Sequence, residues 1–456
     1  MTFDLRSTRF RFVALILSLA VFASACVSGS ETIEQDRENG SPSESDESTP
    51  SGGDDSIAVG SDDSEERAEL VSTTDNPDPF NLDGGATTSD EGVTIADGEP
   101  RDDLSSGTAS VSGLWDTDWA RRTIDVSELE PGLGGIDPRD GIPPIDTPLF
   151  EPISNADWLA DTEPGALVRL DDEVRFYPLS ILTSHEIVND RIGDIPVSVT
   201  FCPLCNTAIT FDRRVDGEVL RFGVSGLLRK SDLVMWDDKT DSLWQQLTGQ
   251  GIVGTFAGTQ LDIVPTAIVS YSEAKESFPQ ALSLAQDSGG YGRSYGQNPY
   301  VGYSSSRAPF LFDGDPDPRF PALSRVVSVS LNQADKAYPF STMVSQKVVN
   351  DTVGGTPIVV MWGGNTNDAL DGPSIAESDQ IGTAIAFERQ FADQVLTFSA
   401  VGTDQFSDAE TGSTWNLLGQ AVDGPMAGET LTPLPHRNEF WFAWAAFFPD
   451  GEVHGQ

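Results

Sequence analysis

The chain has 456 residues, 38% of them hydrophobic with nine Trp and 24 Phe, and it carries a formal net charge of -45 with an isoelectric point near 4.1. That much apolar and aromatic surface can offset the entropy of ordering a chain, which excludes a wholly disordered protein. The acidity excludes nucleic acid as a partner and disfavours anionic membrane surfaces, because a phosphate surface would be repelled.

Arg6, Arg9 and Arg11 precede the apolar run from Phe12 to Phe22, which ends in Ala23-Ser24-Ala25-Cys26. A basic flank, a short apolar stretch and small residues before a cleavage point describe a secretory signal, and the run is too short for a permanent membrane span. The Cys at that boundary resembles a bacterial lipobox, with Ala23 where Leu is commoner. The resemblance implies acylation of Cys26 and a protein held at the outer face of the cell membrane or at the cell surface. Residues 27–110 are rich in Ser, Asp, Glu, Gly and Thr without an apolar period, which predicts a disordered acidic spacer.

Beyond the spacer the sequence repeats itself. Phe176-Tyr177-Pro178 through Val188-Asn189-Asp190 answers to Ala337-Tyr338-Pro339 through Val349-Asn350-Asp351, and Thr207 through Arg213 answers to Thr383 through Arg389. Ser242-Leu243-Trp244 matches Ser413-Thr414-Trp415, and Pro265 to Pro279 matches Pro435 to Pro449. Collinear matches of this kind predict a tandem duplication. Short alternating runs such as Val197 to Phe201 and Ala208 to Phe211 read as half-buried strands, and Asp216-Gly217 reads as a hairpin turn. Brief helices are expected at Leu179 to Val188 and around Ser272 to Lys275. The expectation is a mainly β protein (a β-rich α+β fold): a first repeat at 111–285, a Tyr/Gly-rich connection at 286–324, and a second, degenerate repeat at 325–456.

Chemistry concentrates in the first copy. Cys202-Pro203-Leu204-Cys205-Asn206 falls between two predicted strands, a tight turn of the metal-knuckle kind in which Asn206 can take the left-handed conformation. A thioredoxin-type pair would instead sit at a helix N-terminus. A closed zinc site needs four ligands, and no second Cys pair follows Cys26, so His185, on the helix just before the Cys-bearing strand, is the expected third ligand. Two thiolates and an imidazole suit Cu(I) or Zn²⁺. Glu186, Asp232 and His436 are secondary candidates. Thiol/disulfide exchange and an inert structural pair remain alternatives, as does a Cys-dependent enzyme with His185 as general base. The second copy has Gln346 at the place of His185 and a Gly363-Gly364-Asn365 insert at the place of the Cys turn. Gly223-Val224-Ser225-Gly226 lacks the strand-to-helix setting and the ordered partners of a hydrolase elbow.

The chain resembles a bacterial family catalogued as domain of unknown function 3179. The resemblance rests on Asp140-Gly141-Ile142-Pro143, Ala156-Asp157-Trp158-Leu159, His185-Glu186-Ile187-Val188-Asn189-Asp190, Cys202-Pro203-Leu204-Cys205, Ser231-Asp232-Leu233 and Phe440-Trp441-Phe442-Ala443-Trp444. It covers the chain from about Asp140 to the C-terminus. It implies that the His and Cys-Pro-x-Cys elements belong to the family pattern, with Gly usual where Asn206 stands. The expected function is that of an extracytoplasmic lipoprotein with a transition-metal or thiol-redox site. The alternative is a non-catalytic surface lipoprotein in which the Tyr/Gly connection and the aromatic C-terminus form a partner surface and the Cys pair is a brace.

Overall fold

The computed structural model describes residues 85–96, 103–111, 113–288, 290 and 292–456. The predicted signal, Cys26 and most of the predicted spacer lie outside them. Among the described residues no helix is long and apolar enough to cross a membrane. The fold is mainly β with short helices, and the same order of elements occurs twice.

In the first copy, strands β1 (Pro164–Leu170) and β2 (Glu173–Pro178) form a hairpin, followed by helix α1 (Leu179–His185) and strands β3 (Ile187–Ile192), β4 (Ile195–Cys202) and β5 (Thr207–Asp212). A meander follows in β6 (Phe222–Arg229), β7 (Asp232–Asp237), β8 (Leu243–Gln245) and β9 (Gln250–Val253). Strand β10 (Thr266–Ser270) then returns to pair with β1, helix α2 (Tyr271–Ser277) follows, and β11 (Leu282–Leu284) lies parallel to β2. The second copy repeats this pattern. Its first hairpin is β12 (Arg325–Leu331) and β13 (Ala334–Pro339), and its returning strand β14 (His436–Phe440) pairs with β12. A closing helix α3 (Trp441–Phe447) and β15 (Glu452–Val453), parallel to β13, complete it.

The likeness extends to side chains. Tyr177 donates to Asp190 at 2.6 Å, as Tyr338 does to Asp351 at 2.9 Å. Trp244 Nε1 donates to Asp237 and Trp415 Nε1 to Asp408, both at 2.9 Å. Asn189 exchanges two backbone hydrogen bonds with Phe222, and Asn350 does so with Phe398. These pairs recur because the sheets leave the same buried polar ends to satisfy in each copy.

The copies share their cores. The cluster around β4 and β5 takes in Phe440, Phe442 and Ala443 from the second copy, and a further cluster joins Phe176 and Tyr271 to Val359, Met361 and Trp415. Burying each such aromatic contributes roughly 1.5–3 kcal/mol.

Two expectations need correction. The end of the predicted spacer is folded: Thr94–Ile95 pairs with Arg121–Arg122 at the edge of the meander sheet, Ala86 bridges to Val215, and Leu104 joins Trp115 and Trp119 on a buried face of that sheet. Edge pairing and a few isolated apolar anchors order this stretch, and neither produces a periodic pattern. The aromatic C-terminus, expected at the surface in the partner-binding alternative, lies largely in the core, with Trp441, Phe442 and Trp444 buried.

Replacing Trp244 or Trp415 by Phe leaves the aspartate behind it short of a donor. Each change should lower stability by about 1–3 kcal/mol in urea denaturation; an unchanged midpoint for both would show that the Trp–Asp pairs carry no stability.

Candidate metal centre

Strand β4 ends at Cys202 and β5 begins at Thr207, with Cys202 and Thr207 paired across the ladder. Pro203 restricts the first turn residue, the Asn206 N–H donates to the Pro203 carbonyl at 3.2 Å, and Asn206 has φ 57°. The left-handed position that the motif demands is therefore filled by Asn. Both sulfurs end up buried and unbonded to each other.

The third member arrives from the β6–β7 hairpin. Lys230 and Ser231 both take positive φ (52° and 65°), as a two-residue turn requires, and this places Asp232 at the start of β7. Cys202, Cys205 and Asp232 then present ligand atoms that all lie within 4.8 Å of one another. Gln245 Nε2 and the Leu247 N–H donate to Asp232 Oδ2 at 2.6 and 2.9 Å. Oδ1 has no hydrogen-bond partner, and both thiols lie against the carboxyl. Among the described residues no Lys, Arg or His forms an ion pair with this carboxylate.

Burial without a cation sets the protonation. It raises Asp232 to about 6, against the pull of the Gln245 and Leu247 donors. It also pushes both thiols up, Cys205 well above its ordinary value. Glu186, at the left-handed residue that ends α1, is raised to about 8 by burial, with the Asp232 charge adding to the effect. Burial thus disfavours the thiolate at both sulfurs of the metal-free chain.

His185, the expected third ligand, is placed differently. Its Nδ1 contacts the Pro143 carbonyl at 2.6 Å and its Nε2 the Tyr295 hydroxyl at 2.7 Å. A carbonyl only accepts, so Nδ1 carries the proton and Nε2 accepts from Tyr295, the neutral form that burial also favours. Both nitrogens are engaged, His185 is not in the donor group, and Asp232 stands in its place. The alternative general-base role would need Nε2 to meet a thiol, and Nε2 meets the Tyr295 hydroxyl. Glu186 borders the group, and His436 lies in β14 with Nδ1 on the Leu434 carbonyl at 2.8 Å.

Sequence reasoning missed the cover. Residues 286–324 carry no helix or strand among the described residues, yet their tyrosines bind the site's own walls. Tyr295 meets His185, Tyr300 donates to Glu186 at 3.3 Å, and Tyr303 donates to the Leu204 carbonyl inside the Cys turn at 2.9 Å. Ser231 donates to the Phe310 carbonyl. The far side of this segment is held by the second copy's insert, through Gly302 N–H to the Asp371 carbonyl at 2.8 Å and Ser304 to Asp368 at 2.6 Å. A long segment without regular structure in a compact unit was the signal available.

The raised Glu186 carboxyl has a consequence for pH. A folded-state value of about 8 against an ordinary 4.5 means that its contribution is fully present below pH 4.5 and is lost as pH rises towards 8. Glu186→Gln should flatten the fall in stability of the metal-free protein across that window, read from urea midpoints as a function of pH. An unaltered slope would contradict the assignment.

The family model described as protein of unknown function (DUF3179) matches residues 139–451, which takes in both copies and every residue of the donor group. Comparisons with curated proteins and with solved structures give no match. The match spans well over half of the chain, and the chain belongs to the DUF3179 family.

Proposed function

We propose that this protein is an exported lipoprotein, tethered to the membrane through acylated Cys26 and an acidic spacer, that holds one transition-metal ion in the first of two tandem copies. The carrying observation is the Cys202, Cys205 and Asp232 group, buried, within 4.8 Å, and without an ion pair to Asp232 among the described residues. Burying the Asp232 carboxylate unpaired costs several kcal/mol, and a divalent ion would offset that cost. Two thiolates with a carboxylate oxygen favour Zn²⁺, whose borderline character accepts both, over Cu(I), which prefers a wholly soft set. The reading assigns no reaction and needs no nucleic-acid partner.

Metal content and free thiols of the intact soluble chain, purified without chelator, test it. Near-stoichiometric metal should be present in the wild type and in His185→Gln, and absent from Cys202→Ser and Asp232→Asn. Loss in His185→Gln with retention in Asp232→Asn would refute the donor set. No metal after reduction and reloading would refute the site and leave the Cys pair as a brace, a reading favoured by the 3.6 Å approach of Cys205 Sγ to the Ser231 carbonyl.

Binding must also release the thiol protons. Affinity should therefore fall as pH falls, by about two powers of ten per unit near neutrality, and more steeply below about 6 as Asp232 also takes up a proton. Isothermal titration in buffers of different ionisation enthalpy reads the proton count; a pH-independent affinity would exclude thiolate ligation.

A further inference from the structure

The second copy departs from the first at one buried strand. Where β10 reads Thr266-Ala267-Ile268-Val269-Ser270, β14 reads His436-Arg437-Asn438-Glu439-Phe440, and all five of the latter are buried. Four polar side chains thus replace a mostly apolar run, at a cost no core would bear without return. Burial alone does not satisfy them: His436 Nε2, Asn438 Oδ1 and Glu439 Oε2 have no hydrogen-bond partner.

The register of β14 shows where Glu439 looks. Arg437 and Glu439 share one face of the strand. On that face Arg437 Nε donates to the Leu247 carbonyl at 3.1 Å, and the Leu247 N–H is itself a donor to Asp232. One residue further on, the Phe440 N–H donates to the Cys205 carbonyl at 2.9 Å. The strand is therefore fastened to the loop that holds Asp232 and to the Cys turn, on either side of Glu439. Ser328 donates to Glu439 Oε1, which leaves Oε2 as the unpartnered atom; burial raises this carboxyl, and the Asp232 charge adds to that push. Arg437, packed on the Phe448 ring, supplies a positive charge beside Glu439.

We infer that Glu439 is the fourth donor to the metal ion, so that the centre is completed by the second copy. The inference rests on the proposed site at Cys202, Cys205 and Asp232. Glu439 stands outside the group whose atoms lie within 4.8 Å of one another, so Oε2 would have to move inward on loading, with Oε1 on Ser328. The ligand set becomes two thiolates and two carboxylates, four donors as a closed zinc site requires. The second copy then serves the metal centre directly and is not a degenerate scaffold.

Co²⁺ titration of the intact chain tests this, because Co²⁺ reports its sulfur ligands by charge-transfer absorption and its coordination number by visible bands. Glu439→Gln, which preserves the acceptor for Ser328, and Glu439→Val, which restores the residue of the first copy, should each weaken Co²⁺ binding by about 10- to 100-fold. The visible bands should change while the sulfur absorption persists, and the metal-free Gln variant should keep the wild-type melting temperature. Wild-type affinity and identical visible bands in both variants would overturn the role of Glu439 and leave the three-residue site standing. Absence of Co²⁺ binding by the wild type would overturn the site itself and this inference with it.

Discussion

A buried group of acids with no ion-pair partner among the described residues is the constraint on which the rest of this structure turns. Asp232 and two thiols meet in the core of the first copy, and a hydrogen-bonded amide and a backbone N–H satisfy only one oxygen of the carboxylate. Desolvation then keeps the thiols protonated and pulls Asp232 towards its neutral form. A protein stabilised only by packing has no reason to retain such a group, whereas a divalent ion turns the same groups into a source of folding free energy.

Much of the surrounding architecture reads as a response to that constraint. The Cys turn is roofed by the tyrosines of the connecting segment, which the second copy's insert grips from behind, and it is closed from the side by Phe440. Duplication supplied two frames with the same Trp–Asp and Tyr–Asp pairs, and the frames then diverged where they meet. One carries the Cys turn, while the other carries the insert and the polar strand from His436 to Glu439.

The fold was largely legible in the sequence because strand alternation and hairpin chemistry are local, and the repeat doubled the signal. The Cys turn was legible for the same reason: Pro203 and Asn206 dictate its backbone whatever surrounds it. The rest of the site was legible only in part, with Asp232 standing among the secondary candidates. His185 lies close to Cys202 along the chain, but the left-handed residue at the end of α1 and the hairpin that follows it turn His185 towards Pro143 and Tyr295. Asp232 reaches the sulfurs by sheet pairing over a longer separation, which no spacing rule encodes. The tyrosines act by tertiary contact from an irregular segment, and the folded end of the spacer is ordered by edge pairing, so neither carries a periodic signature.

X-ray absorption at the zinc edge, on the intact soluble chain loaded with Zn²⁺, tests the central claim most directly. The account predicts a first shell containing two sulfurs at about 2.3 Å with oxygens at about 2.0 Å, and none of the outer-shell scattering that a bound imidazole produces. A shell of nitrogen and oxygen alone, or clear imidazole scattering, would contradict it.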